Sequence, residues 1–202
     1  MDWIDNIISA WNGHRKFAEF LVRRMNPRVV VELGVDYGYS TFVFANALQQ
    51  SNSGIIYGID LFEGDIHTGF RNNYKKVLDC IESNNLTHVK IIQGEFGSIS
   101  NIWMMPINIL HIDGLHTYEA VWRDYKNWSK FVESDGIILF HDVTAFYDIA
   151  KFFSEVQDGW LKIYFTHSAG LGILTKNVEM KNEILANFTN AIDYSKQPFI
   201  LN

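Results

Sequence analysis

From residue 28 onward, short apolar runs alternate with longer amphipathic stretches. Val29-Val30-Val31-Glu32-Leu33 follows Arg28 and is closed by Gly34; it is β-branched and unbroken, as in a parallel strand covered on both faces. Helical spacing over 39–50 comes next, then a strand over 54–60 and a helix over 74–83 with Tyr74, Val77, Leu78 and Ile81 on its inner face. The cycle returns with strands at 89–92, 107–113 and 136–141. Between the last two, an amphipathic helix over 118–132 carries Val121, Trp122, Tyr125, Trp128 and Val132. A helix over 146–156, a strand over 160–165, a glycine-rich turn, a strand over 171–175 and a closing helix to about residue 194 complete the order. The early strands need crossovers, whereas the last two are close enough for a hairpin. An α/β fold is predicted, a mostly parallel sheet ending in an antiparallel hairpin at one edge.

Ahead of the first strand, Trp3, Ile4, Ile7, Ile8 and Trp11 share one face at helical spacing, and Phe17, Phe20 and Leu21 mark a second helix that Pro27 stops. These two predicted helices could pack on the sheet, cover a substrate or pair with another subunit, and packing is the simplest reading. No composition break divides the chain. The reading is one domain over 1–202, with a helical cap (1–27), a core (28–176) and a closing helix and tail (177–202).

Composition narrows the function. The 202 residues carry 17 Lys and Arg against 23 Asp and Glu, a formal net charge of −6. That balance disfavours a nucleic-acid partner, and Arg23-Arg24 and Lys75-Lys76 are too sparse to track phosphates. Cys80 is the only cysteine, so no intrachain disulfide is expected. The first residues lack the basic and apolar regions of a secretory signal, and no apolar run nears the ~20 residues of a membrane span. A cytoplasmic protein without membrane partners is the expectation.

In an open parallel sheet, ligands bind outside the carboxyl ends of the strands. Polar residues collect there: Glu32 and Gly34 at the first strand, Asp60 at the second, Glu95 after the third, Asp113 and His116 after the fourth, His141-Asp142 at the fifth. The first loop lacks a dinucleotide fingerprint, because Asp36 and Tyr39 stand where glycines would be needed. What remains is a tight glycine turn for close backbone approach, Glu32 for an ammonium group, Ser40 near a helix start and Asp60 for ribose hydroxyls. An adenosine bearing an amino acid fits these parts. Taken singly, Gly34 and Gly38 also suit ordinary turns, and Asp60 a helix cap.

Four segments in order, residues 32–41 (ELGVDYGYST), 58–65 (GIDLFEGD), 111–119 (HIDGLHTYE) and 140–143 (FHDV), resemble the class I S-adenosylmethionine (SAM)-dependent methyltransferases. Within them the chain is similar to the branch found beside or fused to glycosyltransferases, related to metal-dependent O-methyltransferases of antibiotic sugars and, more distantly, to catechol O-methyltransferases. The resemblance covers roughly residues 28–176. It implies a Rossmann-like sheet of order 3-2-1-4-5-7-6. It also implies that Glu32, Gly34, Gly38, Ser40 and Asp60 hold SAM, with Glu95 and Phe96 near its adenine. Asp113, His141 and Asp142 would hold a divalent metal, magnesium or manganese, and His116 would be the catalytic base with Asp113 beside it. His141 departs from the pattern, since those relatives carry a carboxylate there; an imidazole opens the site to manganese, iron or zinc, or His141 is a strand-end residue bonded to backbone. His111 reads as a satisfied core histidine; the loop with His67 borders an acceptor pocket, and Asp65 in it suits substrate binding, metal binding or simple solvation of the loop.

The resulting expectation is a SAM-dependent O-methyltransferase, metal-assisted, acting on a sugar or related hydroxylated small molecule or glycan. A hydroxylase-type oxidative enzyme on the same scaffold and a non-catalytic SAM-binding module are the alternatives. A homodimer through apolar terminal helices is a further expectation.

Overall fold

The computed structural model describes residues 3–199. A central eight-stranded sheet contains β1 (Val29–Leu33), β2 (Ile55–Asp60), β5 (Val89–Gln93), β6 (Ile107–Ile112), β7 (Val132–His141), β8 (Leu161–Phe165), β9 (Leu171–Thr175) and β10 (Ile192–Asp193). A separate two-stranded ribbon, β3 (Gly64–Asp65) with β4 (Gly69–Phe70), lies in the loop after β2. The spatial order β10-β8-β9-β7-β6-β1-β2-β5 is the expected 3-2-1-4-5-7-6 arrangement with one short strand added outside it. Pairing from β5 through β7 is parallel, and β9 runs antiparallel to both β7 and β8.

Alternating side chains explain why the sheet is covered on both faces. Val30, Ile56 and Ile109 join a core built with α1 (Arg15–Met25), α2 (Tyr39–Ser51) and α3 (Tyr74–Ser83). Val31, Leu33, Leu110 and Phe140 face the other way, onto Trp128 and Phe152 of α5 (Tyr118–Trp128) and α6 (Tyr147–Glu155). α2 buries nine of its thirteen residues, so it is apolar almost all round and shows little amphipathic pattern. α1 stops where Asn26 takes a left-handed conformation and its N–H caps Val22 O, just ahead of Pro27.

Several elements differ from expectation. The first predicted helix is two short 3-10 turns, Trp3–Asn6 and Ala10–His14. Ser9 caps the second of them by accepting from Trp11 N. The closing helix, α7 (Val178–Asn187), ends early because Phe188 packs on Phe17 and Phe20, and the chain then extends along β8 as β10. A five-residue helix, α4 (Phe96–Ser100), follows β5, where the loop carried no helical pattern. No helix among the described residues is long and apolar enough to cross a membrane.

Candidate functional site

A cleft of about 680 Å³ opens at the carboxyl ends of β1, β2, β5, β6 and β7. Of the residues expected to hold a ligand there, Gly34, Ser40, Asp60, Glu95, Phe96, Asp113, His116, His141 and Asp142 line it, and Glu32 and Gly38 do not. Ile8, Ser9 and Ala10 line its rim, so the N-terminal segment both packs on the sheet and borders the cleft.

At one end of the cleft the chain's own hydrogen bonds shape the β1–α2 loop. Asp60 Oδ2 accepts from Val35 N and Asp36 N at 2.8 and 2.9 Å, and Oδ1 accepts from Phe62 N at 2.7 Å. A carboxylate offers about four acceptor positions, so Asp60 holds the loop with three of them and keeps one open. Asp36 is left-handed, and its Oδ1 accepts from Arg71 Nε and Asn73 Nδ2, which pins the loop to the segment after β4. Gly34 has φ +96°, and a Cβ there would sit 1.9 Å from Asp113 O. Only glycine lets the β1 loop pass this close to the end of β6.

Glu32, expected to face an ammonium group, is fully buried. One carboxylate oxygen accepts from Thr41 Oγ1 and the other lies 2.8 Å from His111 Nδ1. Trp11 Nε1 donates to His111 Nε2 at 3.1 Å, so His111 carries its proton on Nδ1 and donates to Glu32. His111 is thus the satisfied core histidine that was expected.

The other end is dense in charge. His116 Nε2 lies 2.8 Å from Asp142 Oδ2 and 3.7 Å from Asp113 Oδ1, while His141 Nδ1 lies 3.3 Å from Asp142 Oδ2 and 3.4 Å from Asp113 Oδ2. Both ring nitrogens of His116 are buried without an aligned hydrogen bond, so its contact with Asp142 is a charge pair out of line. Its ring stacks on Phe146 at 4.3 Å and 8°. Burial lowers the His116 pKa, but the Asp113 and Asp142 carboxylates outweigh it and push it up to about 9. For His141 burial acts the same way, and Asp113 then Asp142 raise the pKa to about 10. Burial would raise Asp113, yet His141 and His116 hold it well below the usual carboxylate range. Asp142 has a left-handed backbone, φ 64°, stored where the site needs its carboxylate.

His141 is the strand-end residue bonded to backbone that the sequence allowed. Its Nε2 donates to Ser168 O at 2.9 Å, which leaves Nδ1 facing the carboxylates, as in an oriented metal ligand. Ser168 lies in the β8–β9 turn, where Ser168, Ala169 and Gly170 are all left-handed. The N-terminal segment holds this turn: Gly13 N donates to Ser168 Oγ, and His167 Nε2 lies 3.2 Å from Gly13 O. A Cβ on Gly13 would meet Ser168 Oγ at 2.2 Å. His14 Nε2 shares the same Ser168 carbonyl at 3.2 Å. Burial, then the neighbouring His141 and His167, push the His14 pKa down to about 3, so His14 stays neutral.

Sequence reasoning missed His14 and Asp124. Asp124 on α5 is buried against the cleft floor, and burial pushes its pKa up to about 6 against the pull of Arg123. Its position on an amphipathic helix was legible, but not its place among apolar neighbours on the inner face.

The fold has counterparts among known proteins. The family model of a methyltransferase domain matches residues 31–143. The uncharacterized protein y4gI of Sinorhizobium fredii is 28% identical over 174 residues, covering 82% of this chain; the chain spans about a fifth of that relative, 19%. Among solved structures, the O-methyltransferase from Bacillus cereus in complex with SAH superimposes with a TM-score of 0.64 at 18% identity, covering 81% of each chain. The SAH-bound methyltransferase PaMTH1 of Podospora anserina gives 0.66 at 12% identity (86% and 84% covered), and the O-methyltransferase NovP 0.66 at 15% (82% and 78%). The chain belongs to the methyltransferase domain family.

Proposed function

We propose that the chain is a SAM-dependent O-methyltransferase of the sugar-modifying, glycosyltransferase-associated branch, assisted by a divalent cation and acting on a sugar or related polyol. The observation that carries this reading is the single cleft that joins an Asp60-braced glycine loop at one end to His116, Asp113 and Asp142 at the other. The donor sets fit both groups. Asp60 keeps a free acceptor position beside closely approaching backbone, and Phe96 offers a ring near Gly114 for a planar base. Asp113, Asp142 and a His141 whose outer nitrogen is already bonded to backbone form a divalent-cation ligand set.

SAM supplies an electrophilic methyl on a sulfonium, and a divalent cation would supply Lewis-acid stabilisation of the acceptor oxygen. The rest falls to the chain. Gly34, Ser40, Asp60, Glu95 and Phe96 bind and orient the cofactor, and fixing an acceptor in line with the methyl contributes roughly 7–11 kcal/mol. His116, held on Phe146, takes the acceptor proton at an imidazole nitrogen, which contributes roughly 10²–10⁴-fold. Asp65, Thr68, Arg71 and Asn73 line the same cleft, a polar border that suits a polyol acceptor.

Titration calorimetry of SAM into chelator-treated protein, with and without manganese, tests the reading. Binding by the natural chain and at least ten-fold weaker binding by Asp60→Asn is expected. Absence of SAM binding under every condition would overturn it.

A further inference from the structure

Beside the Asp113–His141–Asp142 set lies a second group of donors with a different character. Asp65 ends β3, His67 follows in the turn of the ribbon, and His116 comes from the loop after β6; one donor atom from each lies within 4.8 Å of the others. Two separate loops, far apart in sequence, therefore converge on one point.

Asp65 keeps one oxygen open, His67 is exposed, and His116 Nε2 meets Asp142 of the first set only out of line, at 2.8 Å. Asp65 Oδ1 accepts from His67 N, Thr68 N and Thr68 Oγ1 at 2.8, 2.7 and 3.0 Å, while Oδ2 accepts no hydrogen bond among the described residues. The His67 ring packs 5.1 Å from Phe146 and 5.5 Å from His116, so one phenyl ring orders both imidazoles. The His116 nitrogens are buried with no aligned partner, a costly condition for a polar group unless a ligand satisfies it.

We propose that Asp65, His67 and His116 form a second divalent-metal site, separate from the two-carboxylate site and selective for imidazole-preferring cations such as zinc, cobalt or ferrous iron. Two imidazoles with one carboxylate suit these ions, whereas magnesium and calcium take oxygen ligands. A cation here uses the His116 lone pair that would otherwise receive the acceptor proton. The consequence, resting on the methyltransferase reading, is an enzyme supported by magnesium or manganese and inhibited by zinc through its own base.

Cobalt(II) titration of the chelator-treated full chain tests the site, followed by visible d–d absorption and by calorimetry. Two cobalt ions per chain are expected. His67→Ala, an exposed position, should keep one ion and weaken the other at least ten-fold, and Asp142→Asn should weaken the complementary ion instead. Cobalt binding that His67→Ala leaves unchanged would overturn the proposal, whatever the total count. SAM titration of the same samples reports on the cofactor reading separately, because the cobalt count does not depend on it.

Discussion

The two ends of the cleft solve opposite problems. Around Asp60 nearly every polar group is answered within the chain: three backbone amides take its oxygens, and Asp36 is held by Arg71 and Asn73. Around His116 the groups are close but poorly paired, with two carboxylates and two imidazoles inside 4 Å and no aligned hydrogen bond to the His116 ring. The first end is a rigid mould whose shape is already fixed. The second sets two imidazoles against two carboxylates that shift one another's pKa values, the kind of perturbed cluster that functional sites carry.

Breaking the mould should have the largest effect. Gly34→Ala forces a Cβ into Asp113 O at a positive φ, and should cost about 4 kcal/mol or more, read as a lowered denaturation midpoint together with lost SAM binding. At the reactive end, His116→Gln should leave SAM affinity within two-fold while methyl transfer to a polyol acceptor falls roughly 10²–10⁴-fold. Equal losses in binding and turnover would remove the distinction between the two ends.

Metal removal sharpens the contrast. With its pKa raised to about 9, His116 is protonated at neutral pH in the metal-free chain, so the rate should rise about ten-fold per pH unit from 7 toward 9. Magnesium should move that limb to lower pH by drawing Asp113 and Asp142 away from the imidazole. Imidazole NMR of His116 with and without magnesium checks the shift directly. The sign for stability is the same as for any raised histidine: the contribution is complete below about 6.5 and is lost as pH rises through 9.

The smallest effect belongs to Asp124. Its folded pKa of about 6 lies above the unfolded value of 3.8, so its contribution is present below 3.8 and lost as pH rises through 6. Asp124→Asn should therefore stabilise the chain by about 1–3 kcal/mol at pH 8 and by almost nothing at pH 3.5. Thermal melts at the two pH values decide it.

The strands were legible because Val29-Val30-Val31 and Ile137-Ile138-Leu139-Phe140 must be buried on both faces, whatever surrounds them. The ribbon of β3 and β4 was not, since Asp65 and Thr68 shape it by local side-chain bonds with no apolar alternation. At the site, the strand-end rule placed Asp60, Asp113, His116 and Asp142 on the cleft because topology alone carries them there. Glu32 was read as a ligand group because its partners, Thr41 on α2 and His111 on β6, are set by packing across the sheet. His14 and Ser168 are 154 residues apart in sequence, and no local pattern announces a contact of that span.

The contact of Gly34 with the Asp113 carbonyl leaves almost no slack between cofactor loop and acceptor end, so neither can shift without the other. A change that either ligand imposes at this joint reaches the other, and linkage makes the two effects equal. Cofactor and acceptor should then alter each other's affinity by one common factor, set by how far that single backbone crossing can move.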